Sequence, residues 1–143
     1  MERLAINGGN AVRDEKINYG KQWIDEEDIK AVAETLTSNF ITCGPKVSEF
    51  EQSLAAYTKA RYAVAVLSGT AALHCACIAA DVGVGDEVIT TPLTFAASAN
   101  CALYCGAKPV FADINLDTYN IDPDSIKAHI TEKTKAVVAV DFT

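Results

Sequence analysis

The second half of the chain alternates short apolar runs with helical patterns, and this alternation restricts the fold more than any other feature. Tyr62-Ala63-Val64-Ala65-Val66-Leu67 is apolar without interruption, the pattern of a strand buried on both faces. Residues 87–91, 109–114 and 136–141 predict three further strands, the last reading AVVAVD. An Ala-rich helix is expected over about 71–81, ending where Gly83 and Gly85 break the pattern. A second, over about 95–105, closes at Gly106. Residues 117–120 carry turn chemistry, and Asp122-Pro123 opens a short helix with Asp as cap and Pro at the first position. Strands that alternate with helices pair in parallel through right-handed crossovers. The fold class is therefore α/β, a parallel-rich sheet with flanking helices.

Two helices precede this region. Asp25 stands before Ile29, Val32, Ala33 and Leu36, an apolar stripe at helical spacing. Asp28, three residues after Asp25, completes a capping box in which Asp replaces the usual Glu or Gln. Gly44-Pro45 starts the next helix, whose buried face is predicted to be Val47, Phe50, Leu54 and Tyr57. Residues up to Trp23 show no clear periodicity and are expected to run over the surface. The organisation is read as an N-terminal segment with its helices over 1–60, then the first part of an α/β domain over 61–143.

Composition narrows the function classes. Twelve Lys and Arg against nineteen Asp and Glu leave a formal charge of −7. Nucleic-acid binding needs a basic face, so that class is disfavoured, as is attraction to anionic membrane surfaces. The first twenty residues hold Glu2, Arg3, Arg13, Asp14, Glu15 and Lys16, which leaves no apolar core for a signal peptide. No run approaches the roughly 20 apolar residues of a membrane helix. A cytoplasmic location is expected. Cys43, Cys75, Cys77, Cys101 and Cys105 are odd in number and have Ala-rich neighbours, so they read as reduced, buried thiols. Without a CxxC pair or the second half of a ligand set, no metal is expected. His74 is expected to pack, and His129 to complement a helix dipole.

The junction Leu67-Ser68-Gly69-Thr70-Ala71-Ala72-Leu73 carries the chemistry. In an open parallel sheet, ligands bind where strands end and helices begin. A Gly there lets the backbone approach a ligand, and the first N–H groups of the following helix lack internal partners. Together with the helix dipole they form an anion cradle that needs no basic side chain. The same residues also suit an ordinary capped turn, with Ser or Thr as the cap. Neither GxGxxG nor GxxxxGK[ST] is present, so a Rossmann fingerprint and a P-loop are both unsupported. Phe95 follows the next strand and could stack on a flat ring or serve as core.

The segments GKQWIDEEDIKAV, ITCGPKVSEFEQSLAAY, AVAVLSGTAALHCAC, GDEVITTPLTFAASANCALYCGAKPVFADI and TKAVVAVDFT resemble the DegT/DnrJ group of nucleotide-sugar aminotransferases. These are fold-type I enzymes that use pyridoxal 5′-phosphate (PLP). The nearest likeness is to enzymes that aminate C4 of UDP-linked 4-keto-6-deoxy-N-acetyl sugars. The resemblance implies the N-terminal portion of a fold-type I large domain. It also implies that Gly69, Thr70 and Ala71 hold the PLP phosphate, with help from the Thr70 hydroxyl, and that Phe95 stacks on the pyridine ring. Thr42-Cys43-Gly44-Pro45 and the segment from Tyr19 to Trp23 would lie near the sugar site or the subunit contact. The expected partners are a nucleotide-linked keto sugar and an amino donor, with glutamate as the donor, in a homodimer.

The resemblance further places the Schiff-base Lys, and the Asp that pairs with the pyridine nitrogen, beyond Thr143. The 143 residues alone are then expected to be inactive. A Schiff-base Lys must be partly desolvated to be unprotonated at neutral pH. Lys16, Lys21, Lys30, Lys46, Lys59, Lys108, Lys127, Lys133 and Lys135 all fall in polar surroundings. Asp141 is a carboxylate at the end of the fourth predicted strand. Two alternatives are a PLP-dependent sugar dehydratase of the same fold, with His in place of the Lys, and a non-catalytic module.

Overall fold

Asp25 ends the irregular N-terminal stretch by capping a helix. The structure, a computed structural model, describes residues 3–15 and 17–142. Lys16, excluded above as a Schiff-base group, lies outside the described residues. Helix α1 spans Glu26–Leu36. The Asp25 carboxylate accepts from the N–H groups of Glu27 (2.9 Å) and Asp28 (3.1 Å), and Asp28 accepts in return from the Asp25 N–H (3.1 Å). The predicted capping box is formed, with Asp doing the work of Glu. Helix α2 spans Pro45–Thr58, with Gly44 as N-cap and Pro45 in the first turn. A Cβ on Gly44 would come within 2.8 Å of the Phe40 Cβ, which fixes glycine at this helix entry.

The chain divides into two units, Met1–Tyr62 and Ala63–Thr143. In the first, no residue of α1 or α2 is buried. This corrects the expected buried face of α2: Val47, Phe50, Leu54 and Tyr57 are all exposed. An amphipathic stripe is buried only when a second layer faces it, and two helices do not enclose each other's stripes.

In the second unit, helix α3 (Gly69–Ala79) leads through a glycine turn to strand β1 (Glu87–Thr90). Helix α4 (Ala97–Tyr104) connects β1 to β2 (Lys108–Phe111), and helix α5 (Pro123–His129) connects β2 to β3 (Thr134–Val137). The sheet order is β2-β1-β3, and both pairings are parallel. The α/β reading with parallel strands and flanking helices is thus the observed fold. Ile89 pairs with Val110 on one side and Val137 on the other. Val88, Cys77, Val82, Cys101, Ala102 and Ala107 form the core cluster beneath α3 and α4. Gly106 closes α4 at φ +76°, and its chain direction brings Val84 against it.

The first predicted strand is the main departure. Residues 62–67 do not join the sheet; Val64 and Leu67 are exposed. Both sides of β1 are taken by β2 and β3, so this run would have to add to an outer edge, and it adds to neither. An apolar run without alternation is compatible with a buried strand but does not supply the neighbours that bury it. The other strands are shorter than predicted, and β3 starts two residues early. The N–H groups of Ala112 (to the Thr90 carbonyl, 2.8 Å) and Val138 (to the Ile89 carbonyl, 2.8 Å) carry the pairing one residue further. Asp141 therefore lies beyond the strand it was expected to end.

The thiols also differ from expectation. Cys77 and Cys101 are buried and Cys105 is half-buried, but Cys43 and Cys75 are exposed. Cys75 and Cys77 sit on one helix two residues, about 200°, apart, so only one can face the core. Burial pushes the Cys77 thiol up to about 12, and a hydrogen bond with Cys101 acts in the same direction.

Candidate functional site

The first turn of α3 is built by Ser68. This residue is extended (φ −165°, ψ 162°), its carbonyl accepts from the Ala72 N–H at 3.0 Å, and its Oγ accepts from the Ala71 N–H at 3.2 Å. The capped-turn reading is therefore realised. It satisfies one of the three backbone donors that the cradle reading invokes. The N–H groups of Gly69 and Thr70 have no intrahelical acceptor and stand at the positive end of the helix. A Cβ placed on Gly69 would meet nothing within 4 Å, so the space beside it is open. Gly69 is exposed, while Thr70 and Ala71 are half-buried.

Phe95 lies between β1 and α4 in a turn held by its own side chains. The Thr91 Oγ1 accepts from the Leu93 N–H (3.3 Å), the Thr94 and Ser98 hydroxyls share a hydrogen bond (2.8 Å), and the Phe95 carbonyl accepts from the Ser98 N–H (3.0 Å). Phe95 is 77% exposed, so it is not a core residue. Gly69, Thr70 and Ala71 share one helical turn, and Phe95 lies two residues before the first residue of α4, the helix that packs on α3. His74, on α3, packs its ring 5.3 Å from that of Tyr104 on α4, as expected of a structural histidine.

The α3 turn fits a phosphate group: it offers two backbone donors without an intrahelical acceptor, a half-buried hydroxyl and open space beside Gly69. Phe95 offers an exposed aromatic side chain in the turn before α4. Every described lysine is exposed, so none has the desolvated setting that Schiff-base chemistry requires. Among the described residues no group of three or more His, Cys, Asp or Glu could hold a metal ion. No helix of the described residues is long and apolar enough to cross a membrane.

Residues 22–143 match the DegT/DnrJ/EryC1/StrS aminotransferase family. The chain belongs to this family. The spore coat polysaccharide biosynthesis protein SpsC of Bacillus subtilis is 50% identical over 130 residues, covering 91% of this chain and 33% of SpsC. The UDP-4-amino-4-deoxy-L-arabinose–oxoglutarate aminotransferase of Shewanella sediminis is 43% identical over 119 residues, covering 83% of this chain and 31% of that enzyme. NtdA from Bacillus subtilis, solved with bound cofactor PMP, superposes with a TM-score of 0.76 at 36% identity, covering 83% of this chain and 28% of NtdA. The chain spans about a third of the length of the curated DegT/DnrJ/EryC1/StrS relatives it matches.

The sequence signalled the α3 turn, its Ser or Thr cap and Phe95, and Ser68 is the residue that takes the Ala71 donor. One feature beside them was missed. The Thr94–Ser98 hydroxyl pair, four residues apart, sets the turn that presents Phe95.

Proposed function

We propose that the whole protein is a PLP-dependent aminotransferase that passes an amino group from glutamate to a nucleotide-linked 4-keto-6-deoxy-N-acetyl sugar. The observation that carries the cofactor part is the open first turn of α3, and the activity named for the Shewanella relative supports the nucleotide-sugar part. When bound, PLP supplies the electron sink for moving the amino group. The N–H groups of Gly69 and Thr70 donate to its phosphate, and the Thr70 hydroxyl adds a third donor. Ala71 contributes mainly through the helix dipole, because its N–H already serves Ser68. Phe95 would stack on the pyridine ring and shield it from water. The reactive Lys belongs to none of the described positions. A cytoplasmic homodimer completes the reading.

The test uses the full-length gene product. An imine absorbance with PLP, followed by an amino sugar when glutamate and the UDP-keto-sugar are supplied, is the expected result. Thr70→Ala should weaken cofactor retention by roughly tenfold, the effect of one hydrogen bond to a charged group. Absence of both the absorbance and the product rejects the proposal.

A further inference from the structure

A second concave site lies at the carboxyl ends of β1 and β2. It has a volume of about 340 Å³ and is lined by Pro92, Phe111, Ala112, Asp113, Ser125 and His129. It shares no lining residue with the α3 turn or Phe95. Its polar groups come from two elements, the segment after β2 and helix α5, and are fixed by hydrogen bonds to one another. The Asp113 N–H donates to the Ser125 Oγ at 2.8 Å, and the Asp113 Oδ1 accepts from the Ile114 N–H at 2.8 Å. The His129 Nδ1 lies 2.7 Å from the Ser125 carbonyl oxygen.

These bonds determine what is left over. A carbonyl oxygen only accepts, so Nδ1 carries the proton of the neutral imidazole and Nε2 is an acceptor. The Ser125 oxygen receives the Asp113 N–H, while its own hydrogen has no acceptor among the described residues. The second Asp113 oxygen is likewise an unspent acceptor among the described residues. The His129 ring is committed to the Ser125 carbonyl and not to its hydroxyl, so the three do not form a nucleophilic triad. The cavity therefore offers one hydroxyl donor, two acceptors and the half-exposed ring of Phe111.

From this pattern we infer that the cavity is a binding site for a neutral polyhydroxylated ring, a single monosaccharide in size. Adjacent hydroxyls on such a ring donate to a carboxylate and an imidazole and accept from a serine, while its C–H face lies on an aromatic ring. An organic cation would satisfy Asp113 and His129 but would leave the Ser125 hydrogen without an acceptor. The volume lies at the small end of the range for small-molecule sites.

The experiment titrates the intact 15N-labelled protein with methyl α-D-glucopyranoside. The backbone amides of Asp113 and Ile114 report directly, since each donates into the site. Saturable shifts centred on them are expected. Asp113→Asn should weaken the binding by roughly tenfold, because it removes the charge from a hydrogen-bonded acceptor. His129→Ala, at an exposed position, should also weaken it, and so keeps the test valid if the first variant folds poorly. The inference is overturned if no saturable shift appears at tens of millimolar glycoside, or if neither variant changes the affinity. It is also overturned if 1,4-diaminobutane binds there and the glycoside does not. Cofactor absorbance plays no part in this readout, so either proposal can fail alone.

Discussion

Helices α1 and α2 of the first unit and α4 of the second are specified in different ways. In Met1–Tyr62, α1 and α2 are specified at their ends: Asp25 and Asp28 exchange hydrogen bonds at one, and Gly44-Pro45 opens the other. Neither helix buries a residue. In Ala63–Thr143, α4 begins at Ala96, which makes no side-chain cap, yet Ala97, Ser98, Cys101 and Ala102 are buried. All buried residues among those described lie in this second unit. End chemistry decides where a helix starts, whereas layered packing decides whether it contributes to a core.

Matched truncations give the largest test of this difference. Ile89→Ala, at a wholly buried position between two strands, should cost about 2–5 kcal/mol by denaturant unfolding. Leu54→Ala, on the exposed face of α2, should cost about 1 kcal/mol or less. Equal losses would erase the contrast. Next in size, Asp25→Ala should cost about 1 kcal/mol, seen as faster amide exchange in the first turn of α1 with β1 unchanged. If the loss spreads to β1, α1 is not specified locally.

The remaining effect, small near neutral pH, concerns thiol chemistry. At pH 8 a thiol-specific reagent should modify Cys43 and Cys75 at once and Cys77 only after unfolding. The Cys77 thiol is held up to about 12, so the stabilisation is complete below the ordinary thiol value of 9.0. It is lost as pH rises from there towards about 12, because the unfolded chain forms thiolate first. A flat alkaline stability curve would show that burial of Cys77 has no protonation consequence.

The elements that could be read from the sequence are those whose causes are local. The Asp25 box, Pro45, the Asp122-Pro123 start and the αL closure at Gly106 all depend on residues within a few positions. Parallel order followed from the alternation of strands and helices. What failed depends on distant partners. The run 62–67 and the stripe of α2 each have the right composition, but composition cannot supply the layer that would cover them. At the site, the α3 turn was legible because helix N-termini have fixed chemistry. The cavity beside Phe111 was not, because Asp113, Ser125 and His129 meet only through the crossover between β2 and β3.

The Ser68 hydroxyl has a consequence for any anion that enters the α3 turn. It already occupies the Ala71 donor, so an arriving phosphate meets an internal competitor for the third N–H. Ser68 keeps the turn ordered before a ligand is present, and the same contact limits how tightly an anion can be held. Helix stability and anion affinity are linked there through a single proton donor.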